Sequence, residues 1–324
     1  MRTSYAVGVD VGGTRIAVGL VERKGRIVKD IKILTPSAGP FAIVDEVIDL
    51  VQEVSAGVQD SEIAGIGVGL PAQIDFLRQS IEFCTNLPLA GIDVRALVMS
   101  RIRHQVTLDN DGNLAAFGES RYGAGKGARD FLMLTLGTGV GGGLFVNGEP
   151  YRGSRGLGGE IGHMVVQMDG PPCPCGGTGH IESYLGRAAL GAKGKEVAAS
   201  YRGRAILDEA GGDPEEITAE HVVGAALKGD EAAAQILMEA GVILGRALVG
   251  IVNLLNPKLI VIGGGIGEAC PFMVERAAEV IGEEALAGRR DVHVVPAELG
   301  NDAGVLGAAA LAFDEYDSRE GLHR

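Results

Sequence analysis

Residues 131–148 read FLMLTLGTGVGGGLFVNG, two apolar runs on either side of a glycine-dense turn. The first run, 131–136, is long enough for one buried strand, and the second is followed by Asn147-Gly148. An Asn-Gly pair at the end of a short strand is typical of a hairpin, because both turn positions adopt positive φ. The stretch therefore predicts a strand, a glycine turn from Gly137 to Gly143, a second strand and a hairpin.

The glycine turn contains a pattern that resembles a dinucleotide site. Gly137, Gly139 and Gly142 match G-x-G-x-x-G, but that fingerprint requires a helix after the turn to face the pyrophosphate. Here a strand pattern, residues 144–146, follows instead, which disfavours a Rossmann fold. Backbone N–H groups of the turn could still contact phosphate, and a glycine-rich turn without function remains the alternative.

Composition and charge limit the class of protein. A chain of 324 residues with 46% hydrophobic residues suggests two domains of ordinary size. A net charge of −13 without a long basic run argues against nucleic-acid and anionic-membrane partners. The first residues contain no apolar signal core, and Arg246 interrupts the best apolar run. These features predict a soluble, cytoplasmic protein.

A carboxylate beside a second glycine turn lies near the start of the chain. Asp10 ends an apolar strand, Gly12-Gly13-Thr14 form a turn, and residues 16–21 return as a strand. Asp10 could orient a cation, and the turn could bind phosphate, although a plain hairpin with a solvated Asp is equally compatible. Strand, glycine turn and strand recur at residues 132–146, which predicts two similar α/β halves.

Asp111 lies where a strand pattern passes into a helix pattern. Asp and Asn are preferred helix caps, so a structural role is one interpretation. A carboxylate at a helix N-terminus is also held ionised and can serve as a general base. The spacing alone leaves both roles open.

The remaining chain alternates helix and strand patterns. Apolar spacing predicts helices over residues 41–59, 94–102, 114–125, 188–200, 219–227, 231–255, 273–281 and 301–313, and strands over 63–70, 106–108, 259–262 and 292–295. The charged tail from Asp314 is expected to be frayed.

A cluster of metal-ligand residues follows the glycine hairpin. Cys173 and Cys175, with His163 before them and His180 after them, offer two thiolates and two imidazoles, a set that favours tetrahedral Zn²⁺. Two buried thiols in a Pro/Gly loop are the alternative.

Six motifs, in order, resemble the ROK sugar kinases: AVGVDVGGTRIAVGLV (6–21), DNDGNLAAFGE (109–119), LTLGTGVGGG (134–143), GLGGEIGH (156–163), CPCGGTGHIE (173–182) and NPKLIVIGGG (256–265). The resemblance covers roughly residues 5–313. It implies an actin-like (ribonuclease-H-like) ATPase fold, α/β, with two similar domains and an active-site cleft between them. The expected domains are residues 1–117 with 303–324, and residues 118–302, which carry the zinc loop.

The resemblance also implies residue roles, with Asp111 as the base that takes the sugar hydroxyl proton. The implied sugar-binding residues are Asn86, Asn110, Asp111, Glu160, His163 and Glu182. The residues implied to bind Mg²⁺ and ATP are Asp10, Gly12, Gly13, Thr14, Gly137, Thr138, Gly139, Gly264 and Gly265. The implied ligands of a structural Zn²⁺ are His163, Cys173, Cys175 and His180.

The chain departs from the family pattern at several positions. Thr85 stands where proline is usual, His180 replaces the usual third cysteine, Arg15 replaces lysine, and Ala72 and Gly112 replace glycine and alanine. None of these changes removes an implied catalytic group.

The expected function is ATP-dependent phosphorylation of a hexose, with glucose giving glucose 6-phosphate, by a homodimer or homotetramer. A kinase acting on N-acetylmannosamine, N-acetylglucosamine or fructose is the alternative. A sugar-sensing repressor is more remote, because the first strand starts at Tyr5 and leaves no room for a preceding winged helix-turn-helix.

Overall fold

The computed structural model describes residues 3–84, 86–286 and 291–322. Within these ranges the strands are β1 (Tyr5–Val11), β2 (Arg15–Glu22), β3 (Ile27–Leu34), β4 (Ile63–Leu70), β5 (Gln73–Asp75), β6 (Ser80–Phe83), β7 (Val106–Asn110), β8 (Phe131–Leu136), β9 (Val140–Val146), β10 (Glu149–Pro150), β11 (Leu259–Gly263) and β12 (His293–Pro296). The α-helices are α1 (Pro40–Ser55), α2 (Val94–Met99), α3 (Asp111–Tyr122), α4 (Glu182–Leu185), α5 (Arg187–Ala198), α6 (Arg204–Glu209), α7 (Ala219–Leu227), α8 (Glu231–Leu255), α9 (Gly265–Ala269), α10 (Pro271–Glu284) and α11 (Ala303–Arg319).

The chain divides into two compact units. Unit 1 comprises Met1–Arg129, Gly143–Gly159 and Glu298–Arg324, and unit 2 comprises Asp130–Gly142 and Glu160–Ala297. This division differs from the expected domains, because residues 118–129, 143–159 and 298–302 lie in unit 1. One physical reason is that α3 continues unbroken past residue 117 and packs against α11.

The first sheet has the strand order β3-β2-β1-β4-β7. β1 pairs antiparallel with β2 and parallel with β4, and β4 pairs parallel with β7. Helix α11 lies directly on β1, since a Cβ placed on Gly8 would come within 1.9 Å of the Val305 carbonyl oxygen. The absence of a side chain at Gly8 thus allows the backbone of α11 to lie directly on β1.

The second sheet repeats this plan, in the order β10-β9-β8-β11-β12, with β11 parallel to both β8 and β12. The repeat inferred from the two glycine turns is therefore confirmed. Asn147 and Gly148 adopt φ of 57° and 87° and connect β9 to β10, as the hairpin prediction requires.

The glycine turn itself is shorter than the sequence suggests. β9 begins at Val140, so Gly141 to Gly143 are strand residues and only Gly137 to Gly139 form the turn. Cross-strand pairing therefore overrides the weak strand preference of glycine. A strand follows the turn, which excludes a dinucleotide-binding helix at this point.

The helix predictions are correct in position but not at every end. α7 and α8 have the predicted bounds, whereas α1 ends at Ser55 and α2 at Met99. The prediction of a frayed tail from Asp314 is wrong, because α11 continues to Arg319. The side chains of Asp314 and Asp317 pair with Arg121 and Arg23, respectively, and hold this last part of the helix.

Helix α8 is long and apolar enough to cross a membrane by length and composition alone, with a mean hydropathy of 1.7 over its best window. The sequence expectation that Arg246 keeps this run too short is therefore wrong. However, 56% of the window is buried within the structure, where α8 packs against α7 and α10. This degree of burial is typical of a helix in the core of a folded protein.

Candidate active site

The first glycine turn connects β1 to β2 in unit 1. The N–H of Gly12 donates to the carbonyl oxygen of Arg15 at 2.8 Å, so this donor is used within the turn. Gly13 and Thr14 are exposed at its tip. Of the turn residues implied to bind phosphate, Gly13 and Thr14 therefore present the accessible backbone.

The carboxyl group of Asp10 lies beside this turn, packed against the start of α11. A Cβ placed on Gly304 would lie 2.5 Å from Asp10 Oδ2, and one on Gly69 would lie 3.7 Å from Oδ1. Burial raises the pKa of Asp10 to about 6. A bound cation would offset this desolvation, which suits a ligand for Mg²⁺ or its waters. Sequence reasoning missed Gly304, whose only signal was the run of small residues in the last helix.

Strand β7 and helix α3 meet at Asn110 and Asp111. The side-chain oxygen of Asn110 accepts hydrogen bonds from the N–H groups of Gly112 and Asn113 at 2.9 and 3.1 Å. Asn110 is therefore the N-cap, and Asp111 occupies the first helical position, half-buried. The capping role that the sequence left open for Asp111 belongs to its neighbour.

The side chain of Asn110 has a further structural contact, since its Nδ2 donates to the carbonyl oxygen of Ala72 at 3.2 Å. The role of Asn110 in sugar binding stays a prediction. Asp111 Oδ1 accepts the N–H of Gly112 at 2.8 Å, which orients the carboxylate at the start of α3.

The exposed Asn86, implied to bind sugar, lies close to the first glycine turn. A Cβ placed on Gly13 would be 3.9 Å from the Cβ of Asn86. Asn86 and the first glycine turn are therefore neighbours in unit 1. The departure expected at Thr85 lies outside the described residues.

The second glycine turn, in unit 2, is held by backbone hydrogen bonds. The N–H of Gly137 donates to Gly139 at 3.0 Å, and the N–H of Arg187 donates to Gly137 at 3.0 Å. Thr138 is exposed at the tip. Gly264 lies against the same segment, because a Cβ on it would be 2.5 Å from the Leu136 carbonyl oxygen, and the exposed Gly265 begins α9.

Glu182, the first residue of α4, contacts this turn directly. Its Oε2 accepts the N–H of Val140 at 3.0 Å, and a Cβ placed on Gly139 would lie 2.2 Å from the same oxygen. Its Oε1 lies 3.8 Å from Cys173 Sγ. One carboxylate therefore contacts both the second glycine turn and the cysteine cluster, a link that the sequence did not show.

His163, Cys173, Cys175 and His180 come together, with one ligand atom from each lying within 4.8 Å of the others. Cys173 Sγ is 3.7 Å from His163 Nδ1, and Cys175 Sγ is 3.3 Å from His180 Nδ1. A tetrahedral Zn²⁺ with ordinary bond lengths places neighbouring ligand atoms roughly 3.3–3.8 Å apart. The four side chains therefore fit a zinc ion in number, chemistry and spacing.

The cysteine loop is preorganised by its backbone. The N–H of Gly176 returns to the Cys173 carbonyl oxygen at 2.9 Å, and the N–H of Cys173 donates to Gly177 at 2.8 Å. Burial raises the pKa of the Cys173 thiol, so without a cation the neutral thiol is favoured. A metal ion would reverse this preference by stabilising the thiolate.

Glu160 and His163 share one turn. The N–H of His163 donates to the Glu160 carbonyl oxygen at 3.1 Å, and both residues are partly buried. Because His163 turns Nδ1 towards Cys173, its Nε2 is the nitrogen left for a hydroxyl. Glu160, His163 and Glu182 thus belong to one region of unit 2.

The implied site residues divide between the two units. Unit 1 contains Asp10, Gly12, Gly13, Thr14, Asn86, Asn110 and Asp111, and unit 2 contains Gly137, Thr138, Gly139, Glu160, His163, Cys173, Cys175, His180, Glu182, Gly264 and Gly265.

Comparison with known proteins gives consistent results. A family model described as ROK family matches residues 6–315. The glucokinase of Streptomyces coelicolor is 34% identical over 310 residues, which are 94% of this chain and 96% of that protein. A crystal structure of a ROK family glucokinase from Streptomyces griseus, in complex with glucose and AMPPNP, superposes with a TM-score of 0.85 at 32% identity and covers 96% of this chain and 99% of that one.

A different class of protein is also similar. The xylose repressor of Bacillus subtilis is 28% identical over 320 residues, 97% of this chain and 78% of that protein. The likeness to the kinase structure confirms the expected actin-like α/β fold.

Proposed function

Because this chain belongs to the ROK family over residues 6–315, we propose that it is an ATP-dependent hexose kinase that converts glucose to glucose 6-phosphate. The observation that carries the proposal is the position of Asp111, the first residue of α3, where the N–H of Gly112 orients its carboxylate and Asn110 is the N-cap. A fixed carboxylate at a helix N-terminus stays ionised and can accept the proton of a sugar hydroxyl. The glucokinase relatives support glucose as the sugar.

In the proposed reaction, Asp111 accepts the proton as the sugar oxygen attacks the γ-phosphorus, and ADP leaves. Phosphoryl transfer depends mainly on positioning and charge neutralisation, so no covalent intermediate on the protein is required. Gly13, Thr14, Thr138 and Gly139 would supply backbone donors for phosphate oxygens.

Asp10 would hold Mg²⁺ directly or through its water ligands, and the ion would neutralise phosphate charge when bound. The raised pKa of Asp10, about 6, fits a carboxyl group that gains a cationic neighbour in the working enzyme. Gly264 and Gly265 would lie against the adenosine.

The sugar hydroxyls would be bound by Asn86, Asn110, Glu160, His163 and Glu182. Fixed acceptors of this kind discriminate between sugars strongly, because a ligand that lacks the matching hydroxyl leaves them unpaired.

We further propose that His163, Cys173, Cys175 and His180 bind a structural Zn²⁺. The ligand spacing described above supports this assignment. The ion would cross-link a loop with few large apolar groups and would fix the orientation of the His163 imidazole.

We also propose a cytoplasmic homodimer or homotetramer that acts without nucleic acid. The net charge of −13 supports the last point, since non-specific DNA binding depends on positive charge. Light scattering of the purified protein would give the assembly size.

The function is tested by measuring ADP release with ATP, Mg²⁺ and a panel of glucose, fructose, N-acetylglucosamine and N-acetylmannosamine. Glucose is expected to give the highest kcat/KM. Release with N-acetylmannosamine but not glucose would assign the chain to the alternative kinases. No release with any sugar, together with sugar-dependent DNA binding, would assign it to the repressors.

A further inference from the structure

Arg152 and Asp109 form a largely buried ion pair in unit 1. Arg152 Nε donates to Asp109 Oδ2 at 2.7 Å, and Nη2 lies 2.6 Å from the same oxygen. The two side chains are only 12% and 2% exposed. Nη2 is fully buried and, despite the short ion-pair distance, makes no aligned hydrogen bond among the described residues. The guanidinium also lies 4.2 Å from the ring centre of Phe76.

The other oxygen of Asp109 holds the chain on both sides of Asp111. Oδ1 accepts the N–H of Asn110 at 2.8 Å and the side-chain Nδ2 of Asn113 at 3.1 Å. Asn110 caps α3, and Asn113 lies in its first turn. The Asp109 carboxylate therefore contacts the residues on both sides of Asp111, at the start of α3.

We propose that Arg152 is a positioning residue, which acts through Asp109 to hold Asp111 in its catalytic orientation. The inference rests on the proposed function of Asp111 as general base. A buried carboxylate without a counter-charge is strongly disfavoured, so without Arg152 the Asp109 carboxylate would turn towards water. Its hydrogen bonds to Asn110 and Asn113 would then weaken.

The geometry requires arginine and not merely a positive charge. Both contacting nitrogens of Arg152 lie on Oδ2, so Oδ1 is left entirely to Asn110 and Asn113. The planar guanidinium can do this while it stacks on Phe76, whereas a lysine ammonium is a flexible point charge.

The same loop provides a matched control. Arg155 pairs through Nε and Nη2 with Asp75 Oδ2 at 3.2 and 2.9 Å, and the side chain of Asp75 is also only 2% exposed. Asp75 accepts the N–H of Arg78, not of any residue in α3. Loss of Arg155 therefore removes an ion pair to a buried carboxylate without touching the first turn of α3, with the difference that Arg155 is 49% exposed and Arg78 Nε also lies 3.7 Å from Asp75 Oδ2.

The test compares Arg152→Met, Arg152→Lys and Arg155→Met, and each variant is measured for kcat, KM for glucose and thermal midpoint. The kinetic measurements are made at a temperature well below the thermal midpoint of each variant. Misplacement of a catalytic group by about 1 Å can cost about 100-fold in rate. We expect kcat to fall roughly 10- to 100-fold for both Arg152 variants, with KM little changed. Arg155→Met should keep kcat within about twofold of the parent although its thermal midpoint falls.

A double variant, Asp109→Asn with Arg152→Met, tests whether Arg152 acts through Asp109. A neutral amide oxygen at position 109 can still accept from Asn110 and Asn113 and needs no counter-charge, so most of the lost kcat should return.

If Arg152→Lys and Arg152→Met lose no more kcat than Arg155→Met, the pair is only structural and the inference is overturned. If the double variant stays as slow as Arg152→Met, Arg152 does not act through Asp109. Absence of sugar-dependent ADP release from the parent would overturn the proposed function itself.

Discussion

Glu182 Oε2 accepts the N–H of Val140 at 3.0 Å, which connects the first residue of α4 to the strand that follows the second glycine turn. The other carboxylate oxygen is 3.8 Å from Cys173 Sγ. One side chain therefore connects the cysteine cluster to this turn.

We predict that Glu182→Gln raises the KM for ATP as well as the KM for glucose. A hydrogen bond to a charged group contributes about 1.5–3 kcal/mol, so each KM should rise roughly tenfold or more. Steady-state kinetics with each substrate varied in turn give both values. Glu149→Gln, an exposed change in β10, is the control. An unchanged KM for ATP would show that the Val140 contact does not support the turn.

We predict that Gly304→Ala lowers activity by displacing Asp10. The added Cβ would lie 2.5 Å from Asp10 Oδ2, and the short aspartate side chain can relieve this only by moving its carboxylate. The Mg²⁺ concentration for half-maximal rate should rise several-fold. Gly250→Ala in α8, where a Cβ meets nothing within 4 Å, is the matched control and should add roughly 0.5–1 kcal/mol of stability. Equal Mg²⁺ dependence in the two variants would contradict the prediction.

The raised pKa of Asp10 predicts a pH dependence of stability in the Mg²⁺-free protein. Burial raises the pKa of Asp10 to about 6 from its ordinary value of 3.8, so the folded state holds this proton between about pH 4 and 6 while the unfolded state releases it. The free energy of unfolding should therefore fall as pH rises through this window, by about 3 kcal/mol from this group. Urea unfolding of the parent and of Asp10→Asn would measure it. The stability difference between them should change with pH, and a constant difference would argue against the shift.

We predict one Zn²⁺ per chain, measured by elemental analysis of protein purified without chelators. His180→Cys should be mild, because thiolate is an equally good zinc ligand, and His180→Ala should lose the metal. Cys175→Ala should raise the sugar KM and lower the thermal midpoint together. Cys84→Ala, outside the cluster, is the control. If the protein holds no stoichiometric zinc and His180→Ala behaves as the parent, the four residues belong to a loop that binds no metal.

We predict that Asp111→Asn retains the fold and the affinity for sugar but loses about 10²–10⁴-fold in kcat. The fold should survive because Asn110, not Asp111, caps α3. Equilibrium binding of glucose and the thermal midpoint separate this effect from unfolding. A kcat close to that of the parent would remove Asp111 from the catalytic role.

The sequence alone determined the elements whose signals are local. The apolar spacing and the Asn256-Pro257 pair correctly predicted where α8 begins and ends. The Asn147-Gly148 pair correctly predicted the hairpin. Both predictions succeed because helix periodicity and turn chemistry depend on residues that are close in the chain. The cysteine and histidine spacing likewise predicted the cluster that the structure assembles.

Tertiary structure alone decided the contacts between residues far apart in sequence. Gly304 lies against Asp10, and Arg152 pairs with Asp109, because packing of α11 on the sheet and of a loop on β7 brings them together. No local pattern encodes such proximity. The sequence therefore identified the chemical groups of the site, and packing determined which residues hold them in place.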